Sequence, residues 1–156
     1  MKEKLVVILD PSYSGFNKGD DVIAEAVSRE IRALSNDRVF ITRFSTKQGF
    51  PLVRWNTSTK ADLFIIAGSN MMSMRTNPIF GSGRFAASFK DLFLLKNKVV
   101  TCGVGWNKEN RKTNIAGQYF YKKILKSDVK HSVRDKFTAI KLNEKGFYNV
   151  INTGCP

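Results

Sequence analysis

The sequence predicts an α/β domain of Rossmann-like kind, a parallel sheet with helices on both faces. Three observations carry that expectation. Short continuous apolar runs such as Leu5-Val6-Val7-Ile8-Leu9 and Leu63-Phe64-Ile65-Ile66-Ala67 suit strands buried on both faces. Amphipathic stretches of helical period alternate with those runs, the rhythm of βα units. The chain has 156 residues, 42% hydrophobic and 12% aromatic, which is one domain's length with enough apolar side chain for a core.

Taken in order, Leu5 to Leu9 is the first strand. A helix follows from Asp21 to about Leu34, with Ile23, Val27, Ile31 and Leu34 on one face and Ser35-Asn36-Asp37 ending it. Val39 to Phe44 is the second strand, then a polar stretch with Gly49 and Pro51, then the third strand, Leu63 to Ala67. The second half continues with a helix around Phe85 to Leu95, a strand Val99 to Val104 and a helix around Ile115 to Leu125. A short strand Val129 to Val133, a helix Asp135 to Glu144 and a last strand Tyr148 to Asn152 complete six strands, expected to share one parallel sheet.

Composition narrows the partners. Lys and Arg total 26 against 13 Asp and Glu, a net charge of +13. The excess falls in the second half: residues 79–156 carry 15 basic and 5 acidic residues, residues 1–78 carry 11 and 8. Something anionic is implied, whether a nucleic acid, a membrane surface or a phosphorylated or carboxylated small molecule. Cys102 and Cys155 are too few for a disulfide scaffold and sit in no metal spacing, so a reduced, cytoplasmic setting and no metal or cofactor are expected. The five-residue run after the charged start is shorter than the about 7 to 15 residues of a signal peptide, and no run reaches the ~20 of a membrane span.

Ligands of open parallel sheets bind at the carboxyl ends of the strands, so the residues just after each strand are the candidates. After the first comes Tyr13-Ser14-Gly15-Phe16-Asn17-Lys18-Gly19-Asp20-Asp21. Its glycines allow close backbone approach, Asp20 suits an N-cap, and the first helical turn attracts anions, although a plain capped turn would read the same. After the third strand Gly68-Ser69-Asn70 leaves room for a ligand, while Met71, Met72 and Met74 read as packing against the sheet. Asn77-Pro78 and Gly81-Ser82-Gly83-Arg84 continue that irregular stretch, and Gly103-Val104-Gly105-Trp106 is a third glycine turn at the same edge. Arg134, where a short strand hands over to a helix capped by Asp135, is shaped for bidentate contact with a carboxylate or phosphate, or for bracing its own turn. His131 reads as a structural histidine, and Tyr119, Phe120 and Phe137 fall at helical core spacing.

In their order these pieces resemble the polysaccharide pyruvyl transferase family. The resemblance rests on Phe16-Asn17-Lys18-Gly19-Asp20-Asp21-Val22-Ile23, on Asp62 through Ser69, on Val99-Val100-Thr101-Cys102-Gly103-Val104-Gly105, on Ser132-Val133-Arg134-Asp135 with Phe137-Thr138, and on Asn152-Thr153-Gly154-Cys155-Pro156. It implies one lobe of a GT-B-like two-domain enzyme that moves the enolpyruvyl group of phosphoenolpyruvate onto two sugar hydroxyls as a cyclic ketal, decorating a cell-surface polysaccharide. The chain is then expected to be the N-terminal domain, residues 1–156, with a C-terminal domain beyond it, and to be inactive alone. The substrate-binding residues expected are Asn17, Gly19, Asp20, Gly68, Ser69, Asn70, Gly103 and Arg134, with Arg134 meeting the donor's anionic groups. Neither a general acid nor a general base is assignable.

Partners expected on this reading are phosphoenolpyruvate and a glycan or lipid-linked sugar acceptor, with no nucleic acid, and peripheral contact with the anionic inner face of the membrane as a further option. The excess charge beside Arg134 is expected to serve the anionic donor. Two rivals remain open. One is the N-terminal half of a GT-B glycosyltransferase with a nucleotide-sugar donor. The other is a basic nucleic-acid-binding module, for which Lys122-Lys123, Lys126 and Lys130 speak but no recognition motif does.

Overall fold

A computed structural model of the chain describes residues 3–14, 17–36, 38–48, 52–74, 85–107 and 113–156. The strands are β1 (Lys4–Asp10), β2 (Val39–Ser45), β3 (Leu63–Ala67), β4 (Val99–Cys102), β5 (His131–Val133) and β6 (Val150–Asn152). The helices are α1 (Lys18–Ser35), α2 (Leu52–Lys60), α3 (Leu92–Leu95), α4 (Ile115–Ile124) and α5 (Lys136–Asn143). β1 to β4 form a parallel sheet in the order β2-β1-β3-β4, with Leu5 opposite Phe40, Ile8 opposite Ile65 and Ile66 opposite Thr101. The architecture is the Rossmann-like α/β layer expected.

The apolar runs behave as two-sided strands. Val6 and Ile8 of β1 join Ile65 and Ala67 of β3 beneath Ala24 and Val27 of α1, while Val7, Leu9, Phe64 and Ile66 join the larger cluster on the other face with Phe120, Tyr121 and Ile124 of α4. Successive residues of one strand therefore lie in different cores, which is why no polar alternation interrupts them. Met71, Met72 and Met74 are buried in the larger cluster, as their packing role required.

Several expectations are corrected. The six strands do not share one continuous ladder: β5 and β6 pair as a separate two-stranded parallel unit, linked by a single bridge from Val133 to Val104 just after β4, while Val99 of β4 bridges to Leu125 after α4. Side-chain hydroxyls take over between them. Thr101 Oγ1 donates to Ser132 O at 2.9 Å, and Gly103 N–H donates to Ser132 Oγ at 2.9 Å, the latter hydroxyl also bonded to Thr153 Oγ1. The helix expected over Phe85 to Leu95 is an extended segment, a 3₁₀ turn at Phe89–Asp91 and the single turn of α3. Ser88 N–H and Oγ both donate to Asp91 Oδ2, pinning that turn. The polar stretch before β3 contains α2, hidden by its Asn, Thr and Ser content.

Asn17, not Asp20, is the N-cap of α1: its side chain accepts from Gly19 N–H, and Asp20 stands in the first turn instead. At the other end Asn36 caps in the left-handed region, φ 49°, as the Ser35-Asn36 signal suggests. Leu34, read as part of the buried face, is 85% exposed because the helix runs past the sheet. Among the aromatics expected in the core only Phe120 is buried; Tyr119 and Phe137 are exposed, under Lys123 and Lys141 respectively. Gly15, Phe16, Asn77-Pro78 and Gly81 to Arg84 lie outside the described residues.

Candidate functional site

A cavity of about 290 Å³ opens at the carboxyl ends of the strands. Its wall is assembled from successive strand exits: Pro11 after β1, Asn17 and Asp20 at the start of α1, Lys47 after β2, Ser69, Asn70 and Met71 after β3, and Arg134 after β5. Five of the eight expected residues, Asn17, Asp20, Ser69, Asn70 and Arg134, therefore meet around one space although they are spread from position 17 to 134. Gly19, Gly68 and Gly103 do not line it and act through the backbone. Gly68 turns at φ 62° directly under Ile23 of α1, where a side chain would collide with the Ile23 methyl groups. Gly103, also left-handed, packs against Pro156.

The loops are tied into one frame. Gly105 N–H donates to Ser69 O at 2.7 Å, Met72 N–H to Gly105 O at 3.1 Å, and Arg134 N–H to Val104 O at 2.9 Å. Ser69 itself has φ 56°, a left-handed conformation costing a non-glycine residue about 1 kcal/mol or more, and such strain concentrates where side chains must be aimed. Asp135 caps α5, its Oδ1 accepting from Thr138 N–H at 2.7 Å and from Thr138 Oγ1 at 2.8 Å. Thr138 Oγ1 in turn accepts from Trp106 N–H at 2.8 Å, locking the Arg134 turn to the β4 exit.

Arg134 is exposed and lines the cavity, and among the described residues its side chain makes no ion pair. Asp20 is 8% exposed and lines the cavity, yet its carboxylate makes no hydrogen bond or ion pair among the described residues. The cavity thus presents a guanidinium, an ammonium from Lys47, an amide from Asn70, a hydroxyl from Ser69 and one carboxylate. At the end of β1, one residue before Pro11 of the cavity wall, stands a buried ion pair. Arg43 Nη2 and Nε reach Asp10 Oδ2 at 2.6 and 2.7 Å, with Asp10 fully buried and the guanidinium over the Tyr13 ring. Burial opposes the Arg43 charge, but the hydrogen bond and charge of Asp10 outweigh it and raise its pKa.

Lys47 and Gly105 were not among the expected site residues. Lys47 follows β2 at the rim, so the strand-exit rule that found the others also applies to it. Gly105 is visible in sequence as a glycine turn, but its use is a close approach of two side chains that only the fold creates. The remaining candidates are structural. His131 is buried and its Nε2 bonds Lys126 O at 3.0 Å. Burial and then Cys155 push the Cys102 thiol pKa up, the wrong direction for a nucleophile. No group of three or more His, Cys, Asp or Glu suited to a metal occurs among the described residues.

The charge is distributed otherwise than expected. Arg134 is at the cavity, but Lys96, Lys98, Lys122, Lys123, Lys126 and Lys130 lie at the opposite, amino end of the strands, where the helices finish. Those six lysines therefore do not face this site. Among the described residues no helix is long and apolar enough to cross a membrane.

Compared with known families, the sequence matches the model described as polysaccharide pyruvyl transferase over residues 17–156. No curated protein and no solved structure matches the chain.

Proposed function

The chain belongs to the polysaccharide pyruvyl transferase family, a family of transferases, and from that premise we propose that the strand-exit cavity binds phosphoenolpyruvate as the donor of a pyruvyl ketal. The observation that carries this reading is the convergence of Arg134, Asn70, Ser69 and Asp20 on one small cavity at the edge where parallel sheets hold ligands. Arg134 offers two parallel N–H donors to a carboxylate or phosphate, and the first turn of α1 adds the positive end of a helix dipole. Lys47 supplies a further positive charge to the lining.

In the proposed reaction both acceptor oxygens bond to the enol carbon of the donor while its bond to the phosphate oxygen breaks. One hydroxyl proton ends on the donor's methylene, which becomes the methyl of the ketal, and the other leaves with phosphate. Prearranged cations stabilise the charge that gathers on the leaving phosphate. Asp20, the carboxylate in the wall, accepts a hydrogen bond from an acceptor hydroxyl, takes its proton and hands it on to the departing phosphate. The acceptor, a sugar of a cell-surface polysaccharide, enters from the open side of the cavity, where a second lobe of GT-B type closes over it. On this reading the lobe alone turns nothing over, so turnover of every variant is read in the two-lobe enzyme.

Titration calorimetry with phosphoenolpyruvate and with a UDP-sugar tests the reading. Binding of phosphoenolpyruvate, lost by at least about tenfold in Arg134→Ala and partly kept in Arg134→Lys, is the expected result. Donor affinity and turnover unchanged by Arg134→Ala would sink it, and preferential binding of the UDP-sugar would assign the cavity to a glycosyl donor instead.

A further inference from the structure

The amino end of the sheet carries a second organised surface. Lys60 closes α2, Lys96 caps α3, and Lys122 and Lys123 lie in the last turn of α4. Lys130 precedes β5, and Lys145 precedes β6. Lysines in a last helical turn complement the helix dipole, which accounts for Lys60, Lys122 and Lys123. It leaves Lys130 and Lys145 without that reason. Three of the acids near them are already matched: Asp62 by Lys4 at 3.2 Å, Asp128 by Lys126 at 2.6 Å and Glu144 by Lys141 at 2.9 Å, with exposed Glu3 beside them.

Bare apolar side chains stand at the same end of the sheet. Leu34 at the end of α1 is 85% exposed, Phe40 at the start of β2 is 61% exposed, and Tyr148 ahead of β6 is 79% exposed. Two depressions open between them. One of about 880 Å³ is lined by Phe40, Lys60 and Lys98, and one of about 400 Å³ by Lys122, Lys126 and Tyr148.

We propose that this amino-end face docks the protein on an anionic phospholipid bilayer, independently of what the strand-exit cavity binds. Lysines gain from the negative surface potential of such a bilayer, and exposed Leu, Phe and Tyr side chains gain by entering its interfacial layer. Nucleic acid would use the lysines but give nothing to an exposed leucine, which is why the bilayer is the better match. In this orientation the cavity with Arg134 faces away from the lipid, toward the solution that supplies a soluble anionic donor.

Sedimentation with vesicles of phosphatidylcholine, alone or mixed with phosphatidylglycerol, tests the face. The protein should sediment with the mixed vesicles only, and less as salt rises. Each lysine near the surface is worth roughly fivefold in partitioning, so Lys122→Glu/Lys126→Glu/Lys130→Glu should lower it by more than about 100-fold. Leu34→Ser/Tyr148→Ser should lower it severalfold, and Lys18→Glu, at the other end of the molecule, should leave it near wild type. Single exposed changes, Lys96→Glu and Lys130→Glu, carry the same test should the triple variant fail to fold by circular dichroism. No sedimentation with the mixed vesicles, or charge reversal without effect, overturns the proposal. So does binding of a single-stranded oligonucleotide as tight as that of the vesicles and indifferent to Leu34→Ser/Tyr148→Ser.

Discussion

Arg134 lies directly over the backbone of Gly105, so closely that a Cβ on Gly105 would stand 2.6 Å from Arg134 Cδ and would also collide with Asn70 Oδ1. The two polar side chains of the cavity thus share the space that one missing methyl group leaves. Gly105→Ala should push both outward while leaving the cores untouched. Misplacement of binding groups by about 1 Å can cost 10²-fold, so a loss of ten- to a hundredfold in donor-dependent kcat/KM is expected with thermal stability nearly retained. Stability falling without any change in kcat/KM would show that the close approach is only packing.

Among the described residues Asp20 is the one carboxylate lining a cavity otherwise supplied with donors and cations. Asp20→Asn removes a negative charge beside a bound anion, so affinity for phosphoenolpyruvate should hold or rise. Turnover should fall by about 10² to 10⁴, the range for loss of a proton-transferring group. Calorimetry and a phosphate-release assay on the same protein separate the two effects; equal losses in both would reduce Asp20 to a structural residue.

The Asp10–Arg43 pair anchors the end of β1, one residue before Pro11 of the cavity wall. Asp10 is fully buried, and its other oxygen accepts from Ser12 N–H at 2.8 Å. Arg43→Met strands a carboxylate without its cation and should cost about 3–5 kcal/mol in urea unfolding. Adding Asp10→Asn to it should recover part of that loss, since the uncompensated charge is gone.

Burial lowers the pKa of His131, partly offset by its bond to the Lys126 carbonyl. The unfolded chain therefore takes up the proton first as pH falls from about 6.5. Stability should be full above that value and decline as pH drops through it toward the lower folded pKa. His131→Gln should remove that component of the slope below about pH 6.5, measured by thermal melts across the acid range.

Much of the architecture was legible in sequence because strands buried on both faces leave continuous apolar runs: β3 is found at Leu63–Ala67, the residues expected. α2 was not, since Asn56, Thr57, Ser58 and Thr59 have weak helix propensity and the helix persists through packing such as Trp55 against Phe93, ring centroids 5.3 Å apart. The break between β4 and β5 was equally invisible, because it depends on the Ser132 hydroxyl standing where a main-chain acceptor would be.

For the site, the order of strands and the residues after each of them determine which side chains can reach the rim, since parallel strands must all exit at the same edge. That much follows from local pattern, and it brought Asn17, Asp20, Ser69, Asn70 and Arg134 forward together. Which of them share a cavity, and that Lys47 joins them there, is decided by the strand order β2-β1-β3-β4 and by loop hydrogen bonds between segments more than thirty residues apart. The charge shows the same division. Its amount is written in the composition, but the gathering of a group of its lysines at the amino end of the sheet follows from where each helix stops, and helix ends are set by tertiary packing and caps.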